Sequence, residues 1–321
     1  MKNSLSSHKK PRKKTPLKRS NDTKVKTIKL SYKTLSFDEN CADVWLNKFK
    51  NLDNGDKTYI LDFEEAAVDS CFLGQGGSGF VFKYQTGGNQ YAIKFLINKN
   101  DRNKEVKKIV AIQNLFKSSK SKNYRITQYI EKGDTSIQID TKQFRLYYIV
   151  MDLADGTINE LMCEYHKNGE KDTSKLINQI KHLSETIQVL HESKFAHRDI
   201  KPENILLKGE LPILADFGLS GCIKEQKIRK KGPKYWPNPE FVQACDKGLQ
   251  DIDEQSDIFN LGCLFFYFFT GKYPIGLIDI ETELSCVDET IKELLIKMLS
   301  YSKEDRLVDI NDAIKILENA V

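Results

Sequence analysis

The chain has 321 residues, 40% of them hydrophobic and 30% charged, with a formal net charge of +5. That apolar content supports a sizeable core and excludes wholesale disorder, and no apolar run approaches the roughly 18 residues that a membrane-spanning helix needs. The charge is split: residues 1–33 hold twelve Lys/Arg against one acid, Asp22, a net +11, while the other 288 hold 38 against 44, a net −6.

Residues 1–33 are rich in Lys, Ser and Thr and lack apolar periodicity, so a disordered basic tail is expected. Lys9-Lys10-Pro11-Arg12-Lys13-Lys14 with Lys18-Arg19 resembles a nuclear import signal that import receptors would bind. The alternative is a solvated tail that binds anions, nucleic acid among them, without specificity. No apolar stretch follows these lysines, so no signal peptide is expected. Residues 34–66 form an N-terminal extension in which Val44, Trp45, Phe49 and Leu52 recur at helical spacing, a segment expected to pack on the main body. The seven cysteines (41, 71, 163, 222, 245, 263 and 286) are dispersed with no CxxC pair. They read as reduced intracellular thiols, not a disulfide framework or a zinc site. The expectation is intracellular residence, nuclear or mixed nuclear and cytoplasmic, without membrane insertion.

From about Val68 the pattern turns strand-like. Cys71 to Leu73 leads into the glycine-rich stretch Gly74-Gln75-Gly76-Gly77-Ser78-Gly79. Phe80–Tyr84 and Gln90–Ile97 flank a Thr86-Gly87-Gly88-Asn89 turn and predict a hairpin. Val106, Ile109, Ile112 and Leu115 or Phe116 mark one side of a helix. Strand-like runs return at Ser136–Asp140 and Leu146–Met151. Helices are then predicted over 174–193, 257–270, 288–300 and 309–319, with Leu261–Phe269 apolar enough for a buried core helix. Strands first and helices later define an α+β chain with two lobes.

Glycines at this spacing let backbone N–H groups approach phosphates closely. A dinucleotide fingerprint would place a helix straight after them. Here a strand and a hairpin follow, then Tyr91-Ala92-Ile93-Lys94. Further on come His197-Arg198-Asp199-Ile200-Lys201-Pro202-Glu203-Asn204 and, twelve residues after Asn204, Asp216-Phe217-Gly218. With these motifs in this order, residues 67–321 resemble the eukaryotic protein kinases, serine/threonine type. The resemblance implies a bilobal fold: a small, mainly antiparallel β lobe with one key helix (about 67–151), a hinge (152–154), and a larger, mainly helical lobe (155–321).

It also implies ATP and Mg²⁺ as cofactors, protein substrates, and a role for each matching residue. Leu73, Gly74, Gly76, Gly77 and Gly79 would cover the nucleotide. Val81, Ala92 and Leu206 would enclose adenine beside Met151, Asp152 and Ala154. Lys94 would hold the α- and β-phosphates and pair with Glu105, across a spacing of eleven residues that is short for the family; the other reading of Glu105 is a solvated acid on a charged helix. Asn204 and Asp216 would bind Mg²⁺, a hard cation that keeps several waters and needs few protein ligands. Asp199 would accept the substrate hydroxyl proton, and Lys201 would offset charge developing on the transferred phosphoryl. His197 and Phe217 would stack in a structural spine. Glu240 and Arg306 would form a buried ion pair, and Asp257 and Gly262 would open the large lobe's central helix.

Two departures qualify the resemblance. Gly232-Pro233-Lys234-Tyr235-Trp236 carries proline where serine/threonine kinases usually have threonine, and its tryptophan is common among tyrosine kinases. Lys201 with Pro202-Glu203-Asn204 favours Ser/Thr specificity; a dual-specificity or tyrosine kinase and a pseudokinase scaffold are the alternatives. Between Asp216 and Glu240 the acceptor hydroxyls are Ser220 and Tyr235, and Lys224–Lys234 carries six Lys/Arg against Glu225. Activity independent of activation-loop Ser/Thr phosphorylation is therefore expected, with an acidic or already phosphorylated substrate, or a partner protein, ordering the basic segment.

Overall fold

The hairpin at the glycine-rich stretch is the seed of a six-stranded antiparallel sheet. The structure, a computed structural model, describes residues 29–30, 72–76, 79–86, 88–96, 98–119, 126–139, 142–169, 173–222, 239–240, 253–274, 279–285 and 287–320. Most of the basic tail, the 34–66 extension, Gly77 and the basic segment 224–234 lie outside these residues. The strands are β1 (Lys29–Leu30), β2 (Phe72–Gly76), β3 (Gly79–Thr86), β4 (Asn89–Leu96), β5 (Tyr129–Ile139) and β6 (Lys142–Asp152), in the spatial order β1-β5-β6-β4-β3-β2. Lys29 and Leu30, inside the stretch expected to be disordered, pair with Gln138 and Ile137.

β5 and β6 are longer than the runs read from the sequence. Glu131, Lys132 and Gly133 interrupt apolar alternation in β5, yet all three pair with β6, opposite Val150, Ile149 and Tyr148. Cross-strand partners, not local propensity, hold these residues extended. Gly79 is required at the start of β3, where a Cβ would collide with the Phe95 carbonyl oxygen.

Among the described residues, a long helix packs on this sheet. α1 (Lys99–Ser118) is N-capped by the Asn98 side chain, which accepts from the Asn100 N–H. It buries Val106 against Leu96 and Ile149, while Ile109, Ile112 and Phe116 join the core of the large lobe. α1 therefore touches both lobes.

β6 ends at Asp152, and the chain crosses through Leu153 and Ala154 to β7 (Gly156–Thr157) and α2 (Ile158–Lys167). α2 escaped the sequence reading, although Thr157 and Glu160 form a capping box in which each side chain accepts from the other's backbone N–H. α3 (Thr173–Glu192), α4 (Glu254–Thr270), α5 (Ile280–Glu283), α6 (Glu289–Met298) and α7 (Ile310–Asn319) make the large lobe. Short strands β8 (Phe195–Ala196), β9 (Ile205–Lys208), β10 (Leu211–Leu214) and β11 (Gly221–Cys222) carry the segments between α3 and α4. α4 is buried on nearly every side. Its Gly262 lets α4 meet the end of α6, since a Cβ would lie 2.8 Å from that of Met298. The predicted α+β, two-lobed architecture is the one observed.

Candidate active site

The β register gathers the small-lobe residues. Val81 stands opposite Lys94, and Ala92 opposite Met151. Directly paired residues share a face, as do residues two apart on one strand. Val81, Ala92, Lys94 and Met151 thus line one face of the sheet, the face on which Leu96 and Ile149 meet α1. Gly74 pairs with Val81 at the mouth, and Leu73 is exposed there. Leu206, on β9, pairs with Thr157 just past the hinge. Asp152 is exposed, and Ala154 is partly buried in the crossing. Lys208 donates to the Leu153 carbonyl at 3.1 Å and the Asp155 N–H to the Leu207 carbonyl at 2.8 Å, tying the hinge to the large lobe.

Lys94 is buried, and its ammonium lies 2.7 Å from Glu105 Oε1 and 3.5 Å from Asp216 Oδ2. The eleven-residue spacing is bridged because α1 begins three residues after β4 and brings Glu105 under the sheet. Burial alone would pull the Lys94 pKa down, but the two carboxylates outweigh it and leave it above the ordinary lysine value. Burial pushes Glu105 up, against the opposing pull of Lys94. Asp216 is driven up by burial but held below the usual carboxylate range by Lys94 and by the Gly218 N–H, which donates to its Oδ1 at 3.1 Å.

The catalytic loop is a second cluster. Lys201 Nζ lies 3.1 and 3.0 Å from the two oxygens of the buried Asp199 carboxylate. Asn204 Nδ2 donates to Asp199 Oδ2 at 2.8 Å and to its backbone carbonyl at 2.7 Å. With its amide nitrogen so committed, Asn204 has its carbonyl oxygen Oδ1 left as an acceptor. That oxygen and the anionic Asp216 carboxylate are hard donors and fit Mg²⁺. Among the described residues no cluster of three or more His, Cys, Asp or Glu could hold a metal.

Asp257, at the first turn of α4, anchors this loop, a role the sequence reading missed. Its carboxylate accepts from the His197 and Arg198 N–H groups, both at 2.7 Å, and lies 3.1 Å from His191 Nε2. Burial would raise its pKa, but the His191 contact and the backbone donors hold it below the usual range. Arg198 and Asp216 have left-handed φ values of 68° and 55°. Such residues cost about 1–3 kcal/mol and persist where their surroundings over-determine them; here the donors to Asp257 and the Gly218–Asp216 bond do so. His197 and Phe217 meet edge to face at 5.3 Å, and His197 Nε2 lies 3.1 Å from the Ala215 carbonyl oxygen, the spine expected of them. Glu240 and Arg306 make the expected ion pair at 3.0 Å.

Residues 68–318 match the family described as Protein kinase domain. Relatives include a probable serine/threonine-protein kinase, fhkD, of Dictyostelium discoideum (25% identical, 77% of this chain and 38% of the relative) and Aurora kinase A-B of Xenopus laevis (31%, 64% and 54%). Aurora kinase B of Xenopus tropicalis is 28% identical over 64% of this chain and 62% of its own. The chain therefore spans from about two-fifths to three-fifths of the length of these relatives. Among solved structures, a point mutant of the Mycobacterium tuberculosis PknI kinase domain superposes with a TM-score of 0.55 at 18% identity, covering 78% of this chain and 93% of that one; this likeness concerns the fold. The chain belongs to the protein kinase domain family.

Proposed function

We propose that this chain transfers the γ-phosphoryl group of Mg-ATP to serine and threonine hydroxyls of protein substrates. The observation that carries the reading is the Asp199 carboxylate held between the Lys201 ammonium and the Asn204 amide, beside Asp216 and the Lys94–Glu105 pair. Asp199 orients the hydroxyl and takes its proton as the oxygen bonds to the γ-phosphorus and the bond to the bridging β–γ oxygen breaks. Lys201 offsets the charge on the moving phosphoryl, and Lys94 orients the phosphates that leave as ADP. Mg²⁺, where Asn204 and Asp216 would hold it, supplies charge neutralisation. Lys201, two residues beyond Asp199 and bonded to it, favours Ser/Thr over tyrosine specificity. The relatives named as serine/threonine or Aurora kinases support the same choice. Loss of Lys94, Asp199 or Asp216 would favour a scaffold without activity, and all three are present and assembled.

The test is transfer of radiolabelled phosphate from ATP with Mg²⁺ to casein and to myelin basic protein, with analysis of the labelled amino acid. Labelled serine or threonine is expected, with Asp199→Asn about 10²–10⁴-fold slower. Undiminished transfer by both Asp199→Asn and Asp216→Asn would defeat the assignment, and phosphotyrosine as the main product would establish the tyrosine alternative. Phosphatase treatment beforehand is expected to leave the rate unchanged. Ser220 is 1% exposed and donates its hydroxyl to the His197 carbonyl at 3.2 Å, so it is closed to modification in this conformation. Acidic or already phosphorylated proteins are the proposed substrates, because Lys224–Lys234 carries six Lys/Arg and a single acid. Casein dephosphorylated before the assay should then be labelled more slowly than untreated casein. Residues 1–33 are proposed to direct nuclear or mixed nuclear–cytoplasmic residence. Their deletion from a fluorescent fusion should reduce nuclear signal, and an unchanged distribution would remove the idea.

A further inference from the structure

α1 carries Arg102, Glu105 and Lys108 at three-residue spacing, a stripe winding slowly round the helix. Each grips a different part of the molecule. The Arg102 guanidinium donates to the Gly133 carbonyl on β5 at 2.6 Å and lies 5.2 Å from the centre of the Tyr147 ring on β6. Glu105 meets Lys94 on β4. Lys108 Nζ donates to the carbonyl oxygen of Gly218 at 2.7 Å. Gly218 is the residue whose own N–H holds the Asp216 carboxylate. One glycine is thus bound through its carbonyl by α1 and through its N–H to the Asp216 carboxylate.

We infer that Lys108 is a positioning residue that fastens the Asp216 segment to α1, so that the Lys94–Glu105 pair and the Asp216 carboxylate are set together and lost together. The contact is short and charge-assisted, the stronger kind of hydrogen bond. Lys108 also lies near enough to Glu105 to act on its carboxyl, although burial, Lys94 and Asp216 act on it more strongly. A cation of the chain's own helix thereby does part of what a phosphate on the activation segment does elsewhere. With Ser220 buried under the catalytic loop, that device suits a segment whose described hydroxyl is closed to modification.

This inference rests on the proposed kinase reading for the role of Asp216, but its first readout does not require activity. Amide hydrogen exchange is measured on the free full-length chain as wild type, Lys108→Met and Lys108→Arg, with Lys108→Gln in reserve should the Met variant not fold. Lys108→Met is expected to speed exchange by about tenfold in both 99–118 and 216–220 while α3 and α4 keep their protection. In phosphorylation of casein it should lower kcat by about fivefold or more and raise the Mg²⁺ concentration for half-maximal rate by about threefold. Lys108→Arg, which keeps the charge and a donor, should stay within about twofold of wild type on each measure. Faster exchange in α1 alone would make Lys108 a helix stabiliser and overturn the coupling, as would unchanged exchange in both segments. A wild-type chain inactive on every substrate would defeat the kinase reading instead, and the exchange result would still decide the role of Lys108.

Discussion

Glu105 shows how one residue can matter for activity more than for stability. Its carboxylate is buried, and burial together with the neighbouring Asp216 charge raises its pKa against the pull of Lys94. Glu105→Gln should cost the fold less than stranding a buried charge would, because the amide oxygen can still accept from Lys94 and the Asp216 carboxylate, 3.5 Å away, still compensates the ammonium. Lys94, however, would keep an opposite charge only at the 3.5 Å contact to Asp216 and lose its fixed direction. Glu105→Gln is expected to lower kcat by about tenfold or more, while the thermal midpoint moves by no more than about 3 °C. Lys94→Met, which removes the donor itself, should cost about 10²–10³-fold, as for loss of one preorganised donor to developing charge. Steady-state kinetics beside thermal unfolding of the same preparations checks both. A Glu105→Gln variant with wild-type kcat would show the pair to be structural only.

At the scale of elements, α4 is the base on which the catalytic loop stands. Asp257, fully buried at its N-terminal turn, satisfies two consecutive backbone N–H groups and His191. Its folded-state pKa lies below the ordinary aspartate value. A carboxylate with a depressed folded pKa adds stability that is present above its unfolded value and lost as pH falls through the folded one. Stability should therefore fall on acidification below about pH 4, the range of an ordinary aspartate. Asp257→Asn should flatten that acid limb. It keeps one acceptor oxygen where the carboxylate had two, so one of the buried N–H groups loses its partner at about 1–3 kcal/mol, and kcat falls as the loop loosens. Urea titrations of both proteins at about pH 7 and about pH 3.5, on either side of that range, give the comparison. Equal pH dependence in the two proteins would remove Asp257 from the acid limb.

At the scale of the whole molecule, Arg306 fastens distant parts of the large lobe. Besides Glu240 it donates to the carbonyls of Ser300, Gln255 and Tyr301, and its guanidinium lies 5.0 Å from the Phe259 ring centre. Glu240 in turn accepts from the Ser256 hydroxyl at 3.2 Å. Removing one partner of so well-bonded a buried pair leaves the other charge uncompensated, at about 3–5 kcal/mol. Arg306→Ala should show that loss in chemical denaturation, together with lower soluble yield; a change under about 1 kcal/mol would mean that water replaces the guanidinium there.

Sequence alone was enough for whatever is written in short contiguous runs. The glycine-rich hairpin, the octapeptide from His197 to Asn204, the Asp216 triplet and the apolar α4 are local patterns, and their order was sufficient for the family and the two lobes. Glu105 needed α1 to be seen starting just after β4 before its pairing was more than a helix-face guess. Asp257, Lys108 and Arg102 were illegible as functional residues, because an acid at a helix start and cations on a charged helix look solvated. Their partners are backbone N–H and carbonyl groups 59, 110 and 31 residues away. Backbone groups are the same at every position of the sequence, so only the tertiary structure, by bringing particular ones to particular side chains, could decide which charges hold the site.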